Sequence, residues 1–85
     1  MFTIEWHAKA TRQFEKILDL KIQRQIYAGI DTLSQFPNCK NIKMLRNHRY
    51  DYRLRVGRYR ILFNVKTTIK IVYIEEVLTR DDQTY

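Results

Sequence analysis

The sequence predicts an α+β domain of order β-α-α-β-β-β, with two N-terminal helices packed on one face of a small, mainly antiparallel four-stranded sheet. Three observations carry that expectation. The apolar period switches from two to helical at Ala8, an alternating hairpin is centred on Gly57-Arg58, and the last hydrophobic run is apolar at every position but one. At 85 residues, the chain from 1 to 85 holds a single domain with one core and little margin of stability.

Phe2, Ile4 and Trp6 alternate with Thr3, Glu5 and His7, the period-two pattern of a short strand. Beyond Ala8, Ala10, Phe14, Ile17 and Leu18 recur at helical spacing; after a break near Asp19, Ile22, Ile26, Ile30 and Leu33 form a second apolar stripe. Phe36-Pro37-Asn38 stops the second helix, because a residue before proline is pushed out of the α region and asparagine suits turns. A polar loop runs from Lys40 to Asn47. Tyr50, Tyr52, Leu54 and Val56 then alternate with Asp51, Arg53 and Arg55, and after Gly57-Arg58 the pattern resumes with Tyr59, Ile61, Phe63 and Val65, which reads as a β-hairpin. The run from Ile69 to Ile74 suits a central strand covered on both faces, and it is the natural partner of the first strand.

With Gly57 and Arg58 as the central turn residues, Val56 lies opposite Tyr59, Arg55 opposite Arg60 and Arg53 opposite Leu62. Opposed residues share a face. Tyr50, Tyr52, Leu54, Val56, Tyr59, Ile61 and Phe63 then face the helices, while Arg53, Arg55 and Arg60 converge on the other side of the sheet. A slip of one residue would bury three guanidinium groups against isoleucine and phenylalanine, which is prohibitive without partners. Like charges directly opposed across strands destabilise a sheet, and a bound anion would relieve them.

These arginines belong to a wider pattern. Lys40, Lys43, Arg46, Arg49, Arg53, Arg55, Arg58 and Arg60 place half of the chain's 16 bases in one stretch whose single acid is Asp51. The formal charge of +7 therefore resides in that stretch, and the remainder is neutral. A field so localised suggests a polyanionic partner, RNA or DNA first, with Lys40, Lys43, Arg46, Arg49 and Arg58 as binding residues around the converging arginines.

Other classes of chemistry find little support. The lone Cys39 has no internal disulfide partner and no Cys or His stands near it at metal-ligand spacing, so neither a metal site nor a cofactor is expected. No apolar run approaches the ~20 residues that span a bilayer, and Met1-Phe2-Thr3-Ile4-Glu5 lacks the order of a signal peptide, so a cytoplasmic protein without membrane contact is expected. Among titrating groups, His48 in the basic loop is the candidate general base, with Tyr85 and His7 behind it.

The element order, the hairpin Tyr52-Arg53-Leu54-Arg55-Val56-Gly57-Arg58-Tyr59-Arg60-Ile61 and the ending Val77-Leu78-Thr79-Arg80-Asp81-Asp82-Gln83-Thr84-Tyr85 together resemble the RelE/ParE superfamily of bacterial and archaeal toxins. Lys43-Met44-Leu45-Arg46-Asn47 is similar to the stretch that leads into the hairpin in that family. The RelE-like branch is the nearer resemblance, and it implies an mRNA interferase: a metal-independent endoribonuclease that enters the ribosomal A site and cuts mRNA by 2′-hydroxyl attack on the adjacent phosphate. It also implies a cognate antitoxin, acidic and partly disordered. On the matching positions Arg53 and Arg55 replace lysines, Arg60 matches a phosphate-binding arginine, Arg80 an arginine proposed as general acid, and Tyr85 a base-stacking tyrosine. Arginine in place of lysine changes the chemistry, since a guanidinium stays protonated and serves poorly as a base. Two alternatives stand beside this reading: a ParE-like inhibitor of DNA gyrase, and a basic RNA- or DNA-binding module without catalysis.

Overall fold

The computed structural model describes residues 1–79. In chain order it comprises β1 (Thr3–Trp6), α1 (Ala8–Glu15), α2 (Leu20–Asp31), a 3₁₀ turn (Thr32–Gln35), β2 (Ile42–Met44), β3 (Tyr52–Val56), β4 (Tyr59–Lys66) and β5 (Ile71–Thr79). The strands form one sheet of order β1-β5-β4-β3-β2. β1 runs parallel to β5, and every other neighbouring pair is antiparallel.

Local chemistry sets the boundaries. His7 caps α1, its Nδ1 accepting from the Lys9 amide at 3.1 Å, and Asp19 caps α2, its Oδ1 accepting from the amides of Lys21 and Ile22 at 2.9 and 3.3 Å. The break near Asp19 is thus a helix start. Phe36 leaves the helical region at φ −48°, ψ 137°, one residue before Pro37, and its ring meets those of Phe2, Tyr52 and Phe63 edge-on.

α2 lies against the sheet with Ile26 and Ile30 buried, and Leu33 of the 3₁₀ turn joins them over Leu54, Ile61, Phe63, Val72, Ile74 and Val77. The approach is close enough to require glycine: a Cβ on Gly29 would stand 2.7 Å from Cγ2 of Val56. α1 adds Ala10 and Phe14 to the same core, and it runs beside the half of β5 that β1 leaves unpaired. There the Val77 amide donates to Oε1 of Gln13 at 2.7 Å, so a side chain replaces the missing strand.

Two expectations need correction. The stretch from Lys40 to Asn47 is not wholly loop: Ile42 packs on the core and β2 pairs with β3, so the sheet has five strands among the described residues where four were expected. Tyr50 does not face the helices. Residues 46–51 are bends ahead of β3, and the Tyr50 hydroxyl reaches Glu76 on the far side of β4. Among the described residues no helix is long and apolar enough to cross a membrane.

Candidate functional site

The hairpin register places Arg55 directly opposite Arg60, Arg53 opposite Leu62 and Val56 opposite Tyr59. Gly57 has φ +57° at the first turn position and Arg58 does not share it, the pattern of a II′ turn, which fixes that register. Leu54, Ile61 and Phe63 are buried beneath the helices, so their sequence neighbours Arg53, Arg55, Arg60 and Leu62 project from the other face. β2 then adds a base that hairpin counting alone does not supply, because Lys43 pairs with Arg53 and shares its face.

Two rows cross the sheet on this side. One runs Lys43, Arg53, Leu62 and Glu76 over β2, β3, β4 and β5; the next runs Arg55, Arg60 and Leu78 over β3, β4 and β5. They lie two residues apart along the strands, or about 7 Å. Leu62 and Leu78 are buried, so the cationic heads stand beside an apolar floor. Arg58 joins Arg55, Tyr59 and Arg60 around a notch of about 20 Å³ at the turn, room for one water-sized group.

The crowding has an electrostatic signature. Arg53 is pushed below the ordinary guanidinium value, by burial first and then by the charges of Arg55 and Arg60. It remains a cation at neutral pH, since arginine is not deprotonated in proteins. Among the described residues no acid forms an ion pair with Arg53 or Arg55. Arg53 and Arg55 are therefore positive charges on one face that repel each other and gain from an anion.

A second cluster borders the first row. Glu76 is a buried carboxylate that receives the Tyr50 hydroxyl at 2.7 Å, the Gln13 side-chain amide at 3.2 Å and the Lys9 ammonium at 3.3 Å. Burial pushes its pKa up, but these three donors and the Lys9 charge outweigh burial and hold it below the usual carboxylate range. Tyr50 responds in the opposite sense: burial, the Glu76 hydrogen bond and the Glu76 charge push its hydroxyl up to about 12. Tyr50 is thus locked as a neutral donor. Its backbone amide donates to Nδ1 of His48 at 3.1 Å, and the Arg49 guanidinium lies 5.7 Å from its ring centre.

The profile of the ParE toxin of type II toxin-antitoxin systems, parDE, matches residues 4–84. The chain belongs to this family of toxins. Solved structures with the same fold include the RelBE2 toxin-antitoxin complex of Mycobacterium tuberculosis, with a TM-score of 0.78 at 24% identity, covering 93% of this chain and 98% of that one. The RelE-RelB complex of Pyrococcus horikoshii aligns with a TM-score of 0.76 at 21% identity over 94% and 96% of the two chains. The isolated RelE toxin of Escherichia coli gives 0.79 at 14% over 99% and 89%. No curated protein sequence matches the chain. The family assignment agrees with the resemblance carried by the hairpin, and the structural matches place the fold with RelE.

On this toxin scaffold, Arg53, Arg55, Arg60 and Lys43 share one face and Arg58 stands at its turn end. Arg49 and His48 are held near the Glu76 end of that face through Tyr50. Arg46 is exposed in the same loop, and Lys40 lines a separate groove between α2 and β3 together with Arg55. Arg80 and Tyr85 lie outside the described residues. His48 presents Nδ1 as an acceptor already engaged by Tyr50, so in its neutral form the proton sits on Nε2. His7 is occupied as the cap of α1. Sequence reasoning passed over Glu76 and Gln13 and turned Tyr50 toward the helices. One signal was present: Glu75-Glu76 interrupts the apolar run Ile71–Leu78, where an acid needs a buried partner. Among the described residues no three His, Cys, Asp or Glu side chains gather to hold a metal ion.

Proposed function

We propose that this toxin is a ribosome-dependent endoribonuclease that cuts mRNA in the A site without a metal ion, through attack of a ribose 2′-hydroxyl on the adjacent phosphate. The supporting observation is the opposed pair Arg55 and Arg60 with Arg53 and Lys43 in the neighbouring row. In the proposed reaction the 2′-oxygen bonds to phosphorus, the bond to the 5′-oxygen breaks, and the products are a 2′,3′-cyclic phosphate and a 5′-hydroxyl. Solvent water takes the proton that leaves the 2′-oxygen and returns one to the 5′-oxygen. Guanidinium groups bind the non-bridging oxygens bidentately and neutralise the charge that grows on them.

None of these cations is suited to be a base, Tyr50 is held protonated and His48 has its acceptor nitrogen engaged. Rate then comes mainly from charge and from alignment of the mRNA by the ribosome. Arg80 is proposed to hydrogen-bond the departing 5′-oxygen and offset its charge while water delivers the proton, and Tyr85 to be the platform for a base, with Lys40, Lys43, Arg46, Arg49 and Arg58 binding ribosomal or messenger RNA. Similar folds solved as complexes of a RelE toxin with its RelB antitoxin support an antitoxin as the physiological partner here, and the positive field favours an acidic one.

A second reading is favoured by one observation: the matching family profile is that of ParE, so inhibition of DNA gyrase through binding is the rival. Expression under a tight promoter with mapping of mRNA 5′ ends separates the two. Cuts within ribosome-bound codons support the nuclease; intact mRNA with stalled gyrase in a supercoiling assay supports the rival.

A further inference from the structure

β5 carries an irregularity next to the basic face. Its pairing with β4 shifts between Leu62 and Phe63, so that Leu62 lies opposite Glu76 while Phe63 lies opposite Ile74, and Glu75 is the extra residue. Both acids of this bulge are committed to the segment that precedes β3. Glu76 accepts from the Tyr50 hydroxyl at 2.7 Å. Glu75 accepts from the Asn64 side-chain amide at 3.3 Å, and Asn64 in turn accepts from the Asp51 backbone amide at 2.8 Å. The Asp51 carbonyl accepts from the Leu45 amide at 2.8 Å, which closes residues 45–51 into a loop held at its base.

That loop lacks regular secondary structure and carries Arg46, His48 and Arg49. A chain without strand or helix bonds has no ladder to hold its direction, so its orientation depends on such side-chain ties. Tyr50 precedes β3 and must cross over β4 to reach β5, over the face on which Leu62 and Leu78 are buried. Lys9 and Gln13 of α1 hold the same carboxylate from the opposite side, so α1, β5 and the loop meet at one buried charge.

We propose that the Glu75–Glu76 bulge is a positioning device: Glu76, through Tyr50, fixes the His48–Arg49 segment beside the arginine face so that it contacts the RNA flanking the bound phosphate. Glu76 and Tyr50 act through the loop and touch no substrate atoms. The inference rests on the nuclease reading for its consequence in cleavage, but the geometric claim stands apart from it.

The test pairs a structural readout with a functional one on the full chain. Tyr50→Phe keeps the ring and its packing and removes the tie. Amide hydrogen exchange at Tyr50 and Asp51 is expected to quicken about tenfold or more, while amides of β4 and β5 keep the parent's protection. Single-turnover cleavage of ribosome-bound mRNA is expected to slow by about ten- to hundredfold. Glu76→Gln, which retains an oxygen acceptor for Tyr50, should recover most of the rate that Glu76→Ala loses. Unchanged exchange at Tyr50 and Asp51 overturns the proposal. So does quickened exchange with cleavage at the parent's rate, since the loop would then be held without consequence. Should the parent itself fail to cut mRNA, the nuclease reading falls; salt-dependent binding of a single-stranded RNA oligonucleotide by parent and Tyr50→Phe then decides the matter, equal affinity and salt slope counting against positioning.

Discussion

At the scale of single residues, the toxin sets two kinds of charge side by side. Arg53, Arg55 and Arg60 repel one another on open pleats, whereas Glu76 is buried with three donors around it. The first arrangement costs stability and the second supplies it, so substitutions should separate function from folding. Arg55→Thr removes one member of an opposed like-charged pair and introduces a good strand former. Its unfolding free energy should equal or exceed the parent's, by up to about 0.5 kcal/mol, while RNA affinity falls; urea titration and filter binding check both. Tyr50 and Glu76 predict the pH dependence. The Tyr50 hydroxyl is raised in the folded state to about 12, so its contribution is complete below the ordinary tyrosine value and is lost as pH rises toward 12. Glu76 is lowered, so its contribution is present above the ordinary carboxylate value and is lost as pH falls through the folded one. Tyr50→Phe should therefore flatten the alkaline limb of a stability–pH curve relative to the parent and also shallow the acid limb, because the Tyr50 hydrogen bond is the foremost of the contacts that hold Glu76 low.

Among elements, α2 comes close to β3 at Gly29. Gly29→Ala improves helix propensity by about 1 kcal/mol but drives a Cβ to 2.7 Å from Val56. Net destabilisation of about 1 kcal/mol is expected, a fall in Tm of roughly 4–8 °C for a domain of this size. Gly29→Ala combined with Val56→Ala should lose less than the sum of the two separately. The same hairpin shows what the amino-acid order makes legible. Strict alternation around Gly57, with arginines that cannot be buried, left one tolerable register, and the observed pairing follows it. β2 escaped because three residues are too few to display a period, and with it went the pairing of Lys43 beside Arg53. Tyr50 was misplaced because alternation was carried through bends that do not conserve parity. Glu76 escaped because its partners lie on α1 and before β3, far along the chain, so the acidic interruption at Glu75-Glu76 names no partner by itself.

For the whole molecule, the distribution of charge and of core divides the labour. One face of the sheet, with both helices, is spent on a continuous apolar core; the other carries the cations over a narrow floor of Leu62 and Leu78. A chain whose +7 formal charge resides in residues 40–60 should bind RNA with a steep dependence on salt, and each of Lys43, Arg53, Arg55 and Arg60 changed to alanine should lower the slope of log affinity against log salt by about one unit or less. An acidic antitoxin would meet the same field, so the complex should bind RNA poorly. The most direct measurement is the single-turnover rate of mRNA cleavage on programmed ribosomes for the parent and for Arg53→Ala, Arg55→Ala and Arg60→Ala, each verified as folded. Guanidinium stabilisation of the breaking phosphate predicts a loss of about a hundredfold or more for Arg60→Ala, with marked losses for the other two. Three folded variants that cut at the parent's rate would contradict it.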